Sequence, residues 1–323
     1  MAKESIPSEH WDCAIVGGGP SGLTAATHLA WHNRRVLVLD RRTGPLFFTL
    51  EALFNVPGLA QTRGIDIQKQ LLQQALDLGA EHCRANVESA SGAIGDFVLT
   101  LDHGEVVHAT TLLLATGVAR YHPTVDGDHR PCFKYAGKGN LYYCPDCEAP
   151  EIRDKDTVVI ATASAESGAG MALGLSTYAS RTRLLLTGDP ASHSQEITDR
   201  RTQQLGDRGI EVLRGQLAEL IGERSQLHSL RLKDDTIVSA EKYFVSSPAV
   251  GRTDLAQELG VEIAQTGNHA QPKSQRGDTN VAGVWIAGDL RPQTQQVAVA
   301  MGTGNIAAVM IDQYLRREKI SNS

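Results

Sequence analysis

The sequence predicts an α/β protein whose sheets are mainly parallel and covered by helices, and three observations carry that prediction. Short apolar runs recur along the chain: CAIVGGG, RVLVLD, TTLLLATG, TVVIATA, RLLLTGD, KYFVSS and GVWIAGD. They show almost no apolar–polar alternation, the pattern of strands buried on both faces. Between them lie amphipathic stretches; in DIQKQLLQQALDLG, Ile67, Leu71, Ala75 and Leu78 fall on one helical face. Finally, the strand–turn–helix unit that starts at Asp12 starts again at Asp156, in DTVVIATASAESGAGMALGLS. Two related units are expected, the second inserted into the first, with residues 1–120 and 251–323 forming one and residues 121–250 the other.

The bulk numbers suit a globular enzyme. The chain has 323 residues, of which 41% are hydrophobic and 21% charged, an ordinary balance for a chain with a sizeable core. Its 31 Lys and Arg against 37 Asp and Glu leave a formal charge of −6. No long basic run could track a phosphate backbone, which argues against nucleic acid as a partner. The opening MAKESIPSEH is polar, and no later segment reaches the roughly 18 to 20 apolar residues that span a bilayer. A soluble, cytoplasmic protein without an integral membrane segment is expected. The 5 cysteines are an odd number, scattered apart from one pair, unlike a secreted disulfide framework.

The first unit carries a nucleotide signature. In CAIVGGGPSGLTAATHLA, Gly17, Gly19 and Gly22 stand in G-x-G-x-x-G spacing between an apolar run and a predicted helix. Gly17 allows the tight turn, Gly19 lets backbone approach a diphosphate, and Gly22 lets helix and strand pack closely. The helix N-terminus, entered through Pro20 and Ser21, would support the phosphates. Asp40 ends the next strand, where a carboxylate can accept hydrogen bonds from a ribose hydroxyl. Both units are therefore read as Rossmann-like nucleotide-binding folds.

The pair Cys144 and Cys147, in YYCPDC, leaves three readings open: metal clamp, structural staple or redox couple. A metal site would need two further ligands at suitable spacing; no second C-x-x-C is present, and the H-x-x-x-H formed by His28 and His32 stands far from the pair in the chain, inside the nucleotide unit's predicted helix. A cysteine at a helix N-terminus has its thiolate stabilised, which favours reversible exchange. Cys13, Cys83 and Cys132 are isolated and read as structural, because a free cysteine packs like a small hydrophobe.

The far end of the chain narrows the choice. GVWIAGDLRPQTQQVAVAMGTGNIAAVMIDQYL, residues 283–315, resembles the C-terminal FAD signature of the low-molecular-weight thioredoxin reductase family. Ala115, Thr116 and Gly117 match that family's strand end, and FNVPG with Asn55 matches its flavin-facing loop. The resemblance extends over nearly the whole chain. It implies that Gly288 and Asp289 hold the ribityl chain of FAD and that Gln296, Val297 and Ala298 face the flavin's pyrimidine edge. The run from Gln295 onward reads as a helix start, whose positive end would stabilise a reduced flavin; Asp289 as a plain helix-cap residue is the alternative. The resemblance further implies that Cys147 exchanges electrons with FAD, that Cys144 exchanges with the partner's disulfide, and that Glu148 shuttles protons. It also implies a homodimer packed through its FAD-domain faces.

Where the pattern breaks is equally informative. In the second unit the glycine positions are expected at Ala161, Ala163 and Glu166, with Gly168 and Gly170 too late to restore the spacing. Methyl groups and a carboxylate there oppose a diphosphate. The following strand ends at Asp189 without the basic cluster that holds the 2′-phosphate of NADPH, while Arg181 and Arg183 precede the strand and read as a solvated helix end. NADPH is therefore not expected as a cofactor. Among thioredoxin reductase-like proteins independent of NADPH, the cyanobacterial diflavin-linked disulfide oxidoreductases are the most similar. That resemblance implies a second FAD beside the first, with electrons running from dithiol to flavin. Tyr142 and Tyr143 are candidates to stack on it, core packing being expected for at least one. A small dithiol or a thioredoxin-like protein would be the partner. The alternatives are a ferredoxin-fed thioredoxin reductase, an oxygen-dependent dithiol oxidase, or a flavin-loaded sensor whose thiols only change conformation.

Overall fold

The computed structural model describes residues 10–188 and 195–321; Asp189, singled out above, lies outside them. Every apolar run named above forms a strand, and these strands run parallel within their sheets. In the first sheet, Trp11–Val16 lies between Val36–Leu39 and Val106–Leu114, with Val284–Ile286 added on the far side of Val106–Leu114. This sheet is not wholly parallel. Asp96–Leu101 and Val87–Ala93 extend it as an antiparallel arm, built on alternation that buries Phe97, Leu99 and Leu101 and leaves the residues between them more open.

The predicted amphipathic helix spans Gly64–Asp77 and buries Ile67, Leu71 and Ala75. With the helix Pro20–Trp31 and the long helix Val297–Ser321 it covers one face of this sheet. The other face closes over Trp11, Ala14, Leu112 and Ile286.

The second sheet is parallel throughout, in the order Leu141–Tyr142, Lys242–Ser246, Asp156–Ala161, Arg181–Leu186, Glu211–Arg214. Val159 and Leu184 pack beneath the helix Ala165–Leu175 on one face. Val158, Ile160 and Leu185 pack on the other against an antiparallel sheet of Leu217–Glu223, Gln226–Leu232 and Ile237–Ser239. Each sheet therefore has its own two-faced core. Between them the chain crosses twice, at Val118–Arg120 and Ala249–Gly251, and these two segments pair antiparallel. Arg181 and Arg183 correct the sequence reading, because they belong to the strand itself. Arg183 is buried and ion-paired with Asp156 at 2.8 Å, while Arg181 reaches Glu211 at 3.2 Å. Among the described residues no helix is long and apolar enough to cross a membrane.

Candidate active site

The glycine turn after Trp11–Val16 shows why each glycine is needed. Gly17 has φ of +111°, and a Cβ there would lie 2.2 Å from the Ala115 carbonyl oxygen. A Cβ on Gly22 would lie 1.9 Å from the Gly17 carbonyl oxygen, so helix and strand meet as closely as the motif requires. Gly19 differs: it is the N-cap of Pro20–Trp31, and a Cβ there would project into open space. The protein does not crowd it, so the requirement must come from something that approaches the helix end. Helix N-termini leave backbone N–H groups unpaired, and a diphosphate fits that demand.

Around this turn the other predicted residues converge. Asp40 is buried beside Gly18, and its carboxylate accepts the Arg42 backbone N–H at 3.1 Å. Thr116 donates to the Arg252 carbonyl at 2.8 Å, and Arg252 N–H donates to the Gly117 carbonyl at 2.9 Å, tying the loop after Val106–Leu114 to the return crossing. Ser21 is buried with its side chain turned towards Gly288 and its backbone against Gly304. Gln68, overlooked in the sequence because it lies on the flank of an amphipathic helix, donates to the Gly18 carbonyl and fixes the turn.

Asp289 is not a helix cap. It sits in a 3-10 turn, Gly288–Leu290, whose N–H at Gly288 is held by the Thr303 hydroxyl at 3.0 Å. One Asp289 carboxylate oxygen is buried without a partner, and burial pushes its pKa up to about 6, with Arg120 opposing. A buried acceptor without a donor calls for a hydroxyl, and a ribityl chain supplies one. The long helix begins at Val297, two residues later than expected from the sequence, with Gln296 capping it through its carbonyl to the Ala300 N–H at 2.9 Å. Val297 packs against the core at the helix start, and Ala298 is exposed. The open Gly19 side, the Asp289 orphan oxygen and the helix end at Val297 together fit FAD.

The thiol pair lies against this helix end. Cys144 and Cys147 are joined as a disulfide with Cα atoms 5.2 Å apart, Cys144 being the N-cap of the single turn Pro145–Glu148. Asn55 donates its amide to Gln296 Oε1 at 2.8 Å, which turns Gln296 Nε2 towards both sulfurs at 3.6 Å. Three segments remote in sequence thus meet at one side chain.

Glu148 accepts the Cys144 backbone N–H at 2.9 Å. Burial pushes its pKa up to about 7, against the opposing effects of that hydrogen bond and of Arg120, with Glu51 adding to the rise. A carboxyl poised near neutrality can take and release a proton within the range where thiols exchange. Glu51 and Arg120 were not visible in the sequence, since neither stands in a motif.

Tyr142 is a core residue: its hydroxyl accepts from Lys242 Nζ at 2.6 Å and its ring packs against Phe244 at 5.2 Å. The Tyr143 hydroxyl pairs with His122 Nδ1 at 2.6 Å. His122 and Tyr121 line a cavity of about 560 Å³ with Thr162, Thr187 and Gln216, at the C-terminal ends of the second sheet's strands.

The second turn departs from the first more than the residue spacing suggests, and it is offset by one residue. Strand ends Val16 and Ala161 and helix caps Gly19 and Ser164 correspond, each cap three positions after its strand end. The counterparts of Gly17, Gly19 and Gly22 are therefore Thr162, Ser164 and Ser167 rather than Ala161, Ala163 and Glu166. Ser164 caps its own helix by accepting the Ser167 N–H at 3.2 Å. Glu166, in the first helical turn, accepts the Thr198 N–H at 3.1 Å and pairs with Arg201 at 3.0 Å. Gly168 serves the close packing, because a Cβ there would lie 2.5 Å from the Ala161 Cβ. Its late position does not prevent that role. Arginine does come near this turn after all, but from Thr198 onward, and Arg201 is spent on Glu166.

A disulfide set beside the helix end of a nucleotide fold, next to a carboxyl near neutrality, is an arrangement that suits thiol–disulfide exchange. The chain belongs to the pyridine nucleotide-disulphide oxidoreductase family, whose profile matches residues 11–304. That membership implies FAD. An alkyl hydroperoxide reductase component of Xanthomonas campestris pv. phaseoli is 27% identical over 98% of this chain and 59% of its own length. The chain thus spans about three-fifths of the curated relatives it matches. Thioredoxin reductase of Streptococcus pyogenes MGAS5005 shares the fold, with a TM-score of 0.83 at 19% identity, over 96% of this chain and 99% of that one. The atypical thioredoxin reductase TRi of Desulfovibrio vulgaris Hildenborough is 29% identical with a TM-score of 0.51, over 95% of this chain and 99% of that one.

Proposed function

We propose that this protein is an FAD-dependent dithiol–disulfide oxidoreductase that works without NADPH, carries a second FAD stacked beside the first, and takes electrons from a dithiol towards flavin, as the cyanobacterial diflavin-linked disulfide oxidoreductases do. The observation that carries the reading is the second turn, where Ser164 and Glu166 occupy the helix end that a pyridine nucleotide diphosphate would need.

Gly17, Gly19, Pro20, Ser21 and Gly22 would cradle the diphosphate of the first FAD through backbone, Asp40 its ribose, and Gly288 with Asp289 its ribityl chain. Ala115, Thr116, Gly117, Asn55, Gln296, Val297 and Ala298 would frame the ring. Bound there, FAD supplies a two-electron acceptor beside the sulfurs. A thiolate of the partner, a small dithiol or a thioredoxin-like protein, attacks Cys144 Sγ; the Cys144–Cys147 bond breaks and Cys147 leaves as thiolate. The partner's second thiol then displaces Cys144, releasing the partner as a disulfide and leaving its two electrons on the pair, while Glu148 takes a proton. The working form is proposed as a homodimer in the cytoplasm.

Anaerobic titration tests this reading. Dithiol should bleach the flavin absorbance, NADPH should leave it unchanged, and heat release should yield two flavins per chain. Rapid bleaching by NADPH with none by dithiol would overturn it. One flavin per chain with reduction by ferredoxin would move the assignment to a ferredoxin-linked reductase. One flavin with rapid oxygen consumption in the presence of dithiol would indicate a dithiol oxidase.

A further inference from the structure

Arg120 stands outside every motif, yet it reaches both the thiol segment and the turn before the long helix. It lies on the outward crossing Val118–Arg120. One guanidinium nitrogen donates to Gln295 Oε1 at 3.0 Å, and another lies 3.5 Å from the Tyr143 carbonyl, one residue before Cys144. It faces Glu148, Asp289 and Tyr143 electrostatically.

We propose that Arg120 is a positioning residue that holds the thiol segment against the Gln295–Gln296 turn and offsets the negative charge created when the Cys144–Cys147 bond opens. The charge follows from the chemistry. An external dithiol gives up two electrons and two protons and becomes a disulfide. The pair takes both electrons and one proton, ending as one thiol and one thiolate, and the second proton passes to Glu148 and on to water. One net negative charge remains in the site.

The groups around the pair make that charge unwelcome. Asp146 lies between the cysteines, Glu148 follows them, and Glu51 and Asp289 come from other segments. Glu151 also bears on the neighbouring Tyr142, whereas Lys242 is engaged with the Tyr142 hydroxyl. Among the described residues Arg120 is the cation whose hydrogen bonds reach the thiol segment and the Gln295–Gln296 turn together. A cation within a few ångströms of an acidic group lowers its pKa by roughly one to three units.

The inference rests on the redox role of the pair, not on the electron source. Its test is alkylation of the dithiol-reduced holoprotein by iodoacetamide across pH, with Cys144 and Cys147 read separately by peptide mass. Arg120→Gln should raise the pH midpoint for the thiolate by about one unit, roughly a tenfold loss of thiolate at neutral pH, whereas Arg120→Lys should stay near the parent. Gln295→Leu, which keeps the cation but removes its anchor, should raise the midpoint by less, and it decides the matter with Arg120→Lys if Arg120→Gln does not fold. An unchanged midpoint in both Arg120→Gln and Gln295→Leu, or equal shifts in the Gln and Lys variants, would overturn the proposal. A parent pair that resists dithiol at every pH would overturn the redox reading beneath it as well.

Discussion

At Glu148, geometry and burial make a proton carrier from an ordinary side chain. The carboxyl accepts the Cys144 N–H at 2.9 Å, and burial raises its pKa from 4.5 to about 7 in spite of the backbone hydrogen bonds from Cys144 and Tyr143. A carboxyl whose folded pKa lies above its unfolded one weakens the fold as pH climbs from the lower value through the upper, and below both values it exacts no such penalty. Glu148→Gln should therefore be more stable than the parent at pH 8, by about 1–3 kcal/mol, and equal to it at pH 4, as thermal unfolding at the two pH values will show. The same variant should lose the inflection near neutrality in the rate of dithiol exchange. Roles within the pair can also be separated with the partner supplied in its disulfide form: the Cys144 thiolate of Cys147→Ser should open that disulfide and remain joined to one of its sulfurs while the other leaves as thiolate, and Cys144→Ser should trap no such mixed disulfide, read as a mass shift on a non-reducing gel.

Among the elements, the crossing of Pro20–Trp31 with Val297–Ser321 sets the site, because it brings the glycine turn and the second helix end to one place. Gly304 permits the crossing: a Cβ there would lie 2.1 Å from the Ser21 carbonyl oxygen, whereas a Cβ on Gly302 meets nothing. Gly304→Ala should force the helices apart, cost about 2 kcal/mol or more and weaken flavin retention. Gly302→Ala should be neutral or stabilising by up to about 1 kcal/mol. Paired measurements of unfolding temperature and bound flavin check both; equal behaviour of the two variants would contradict the crossing as the controlling contact. Strands such as Asp156–Ala161 were readable because their burial on both faces leaves an unbroken apolar run. The arm Val87–Ala93 with Asp96–Leu101 was not, since one side is open and VESASGA carries polar and glycine residues that mimic a loop. The offset in the second turn has a similar origin: Ala161 reads equally well as strand end or turn, and only the pairing of Ala161 with Leu186 decides.

The whole molecule joins two bodies by two short crossings, each sheet being packed on both of its faces by its own elements. Stability should follow that division. Ile160 is fully buried in the second core, and Ile160→Ala should cost about 2–5 kcal/mol. Calorimetry should show the loss in one transition, while the temperature of flavin release stays within a degree or two of the parent. A coincident fall of both would mean that the bodies unfold as one.

The sequence alone determined the α/β class, the first glycine turn and the position of the thiol pair, because buried strands, forbidden side chains and a C-x-x-C spacing are local demands that leave local marks. Tertiary structure decided the rest. Arg120 and Gln295 are separated by 175 positions, and the Gln296 amide meets Asn55 and both sulfurs only where three segments converge. Such contacts depend on how the two bodies and their crossings come together. A Coulomb or hydrogen-bond partner across that distance imposes no spacing on the residues that make it, and so nothing in the linear order announces it.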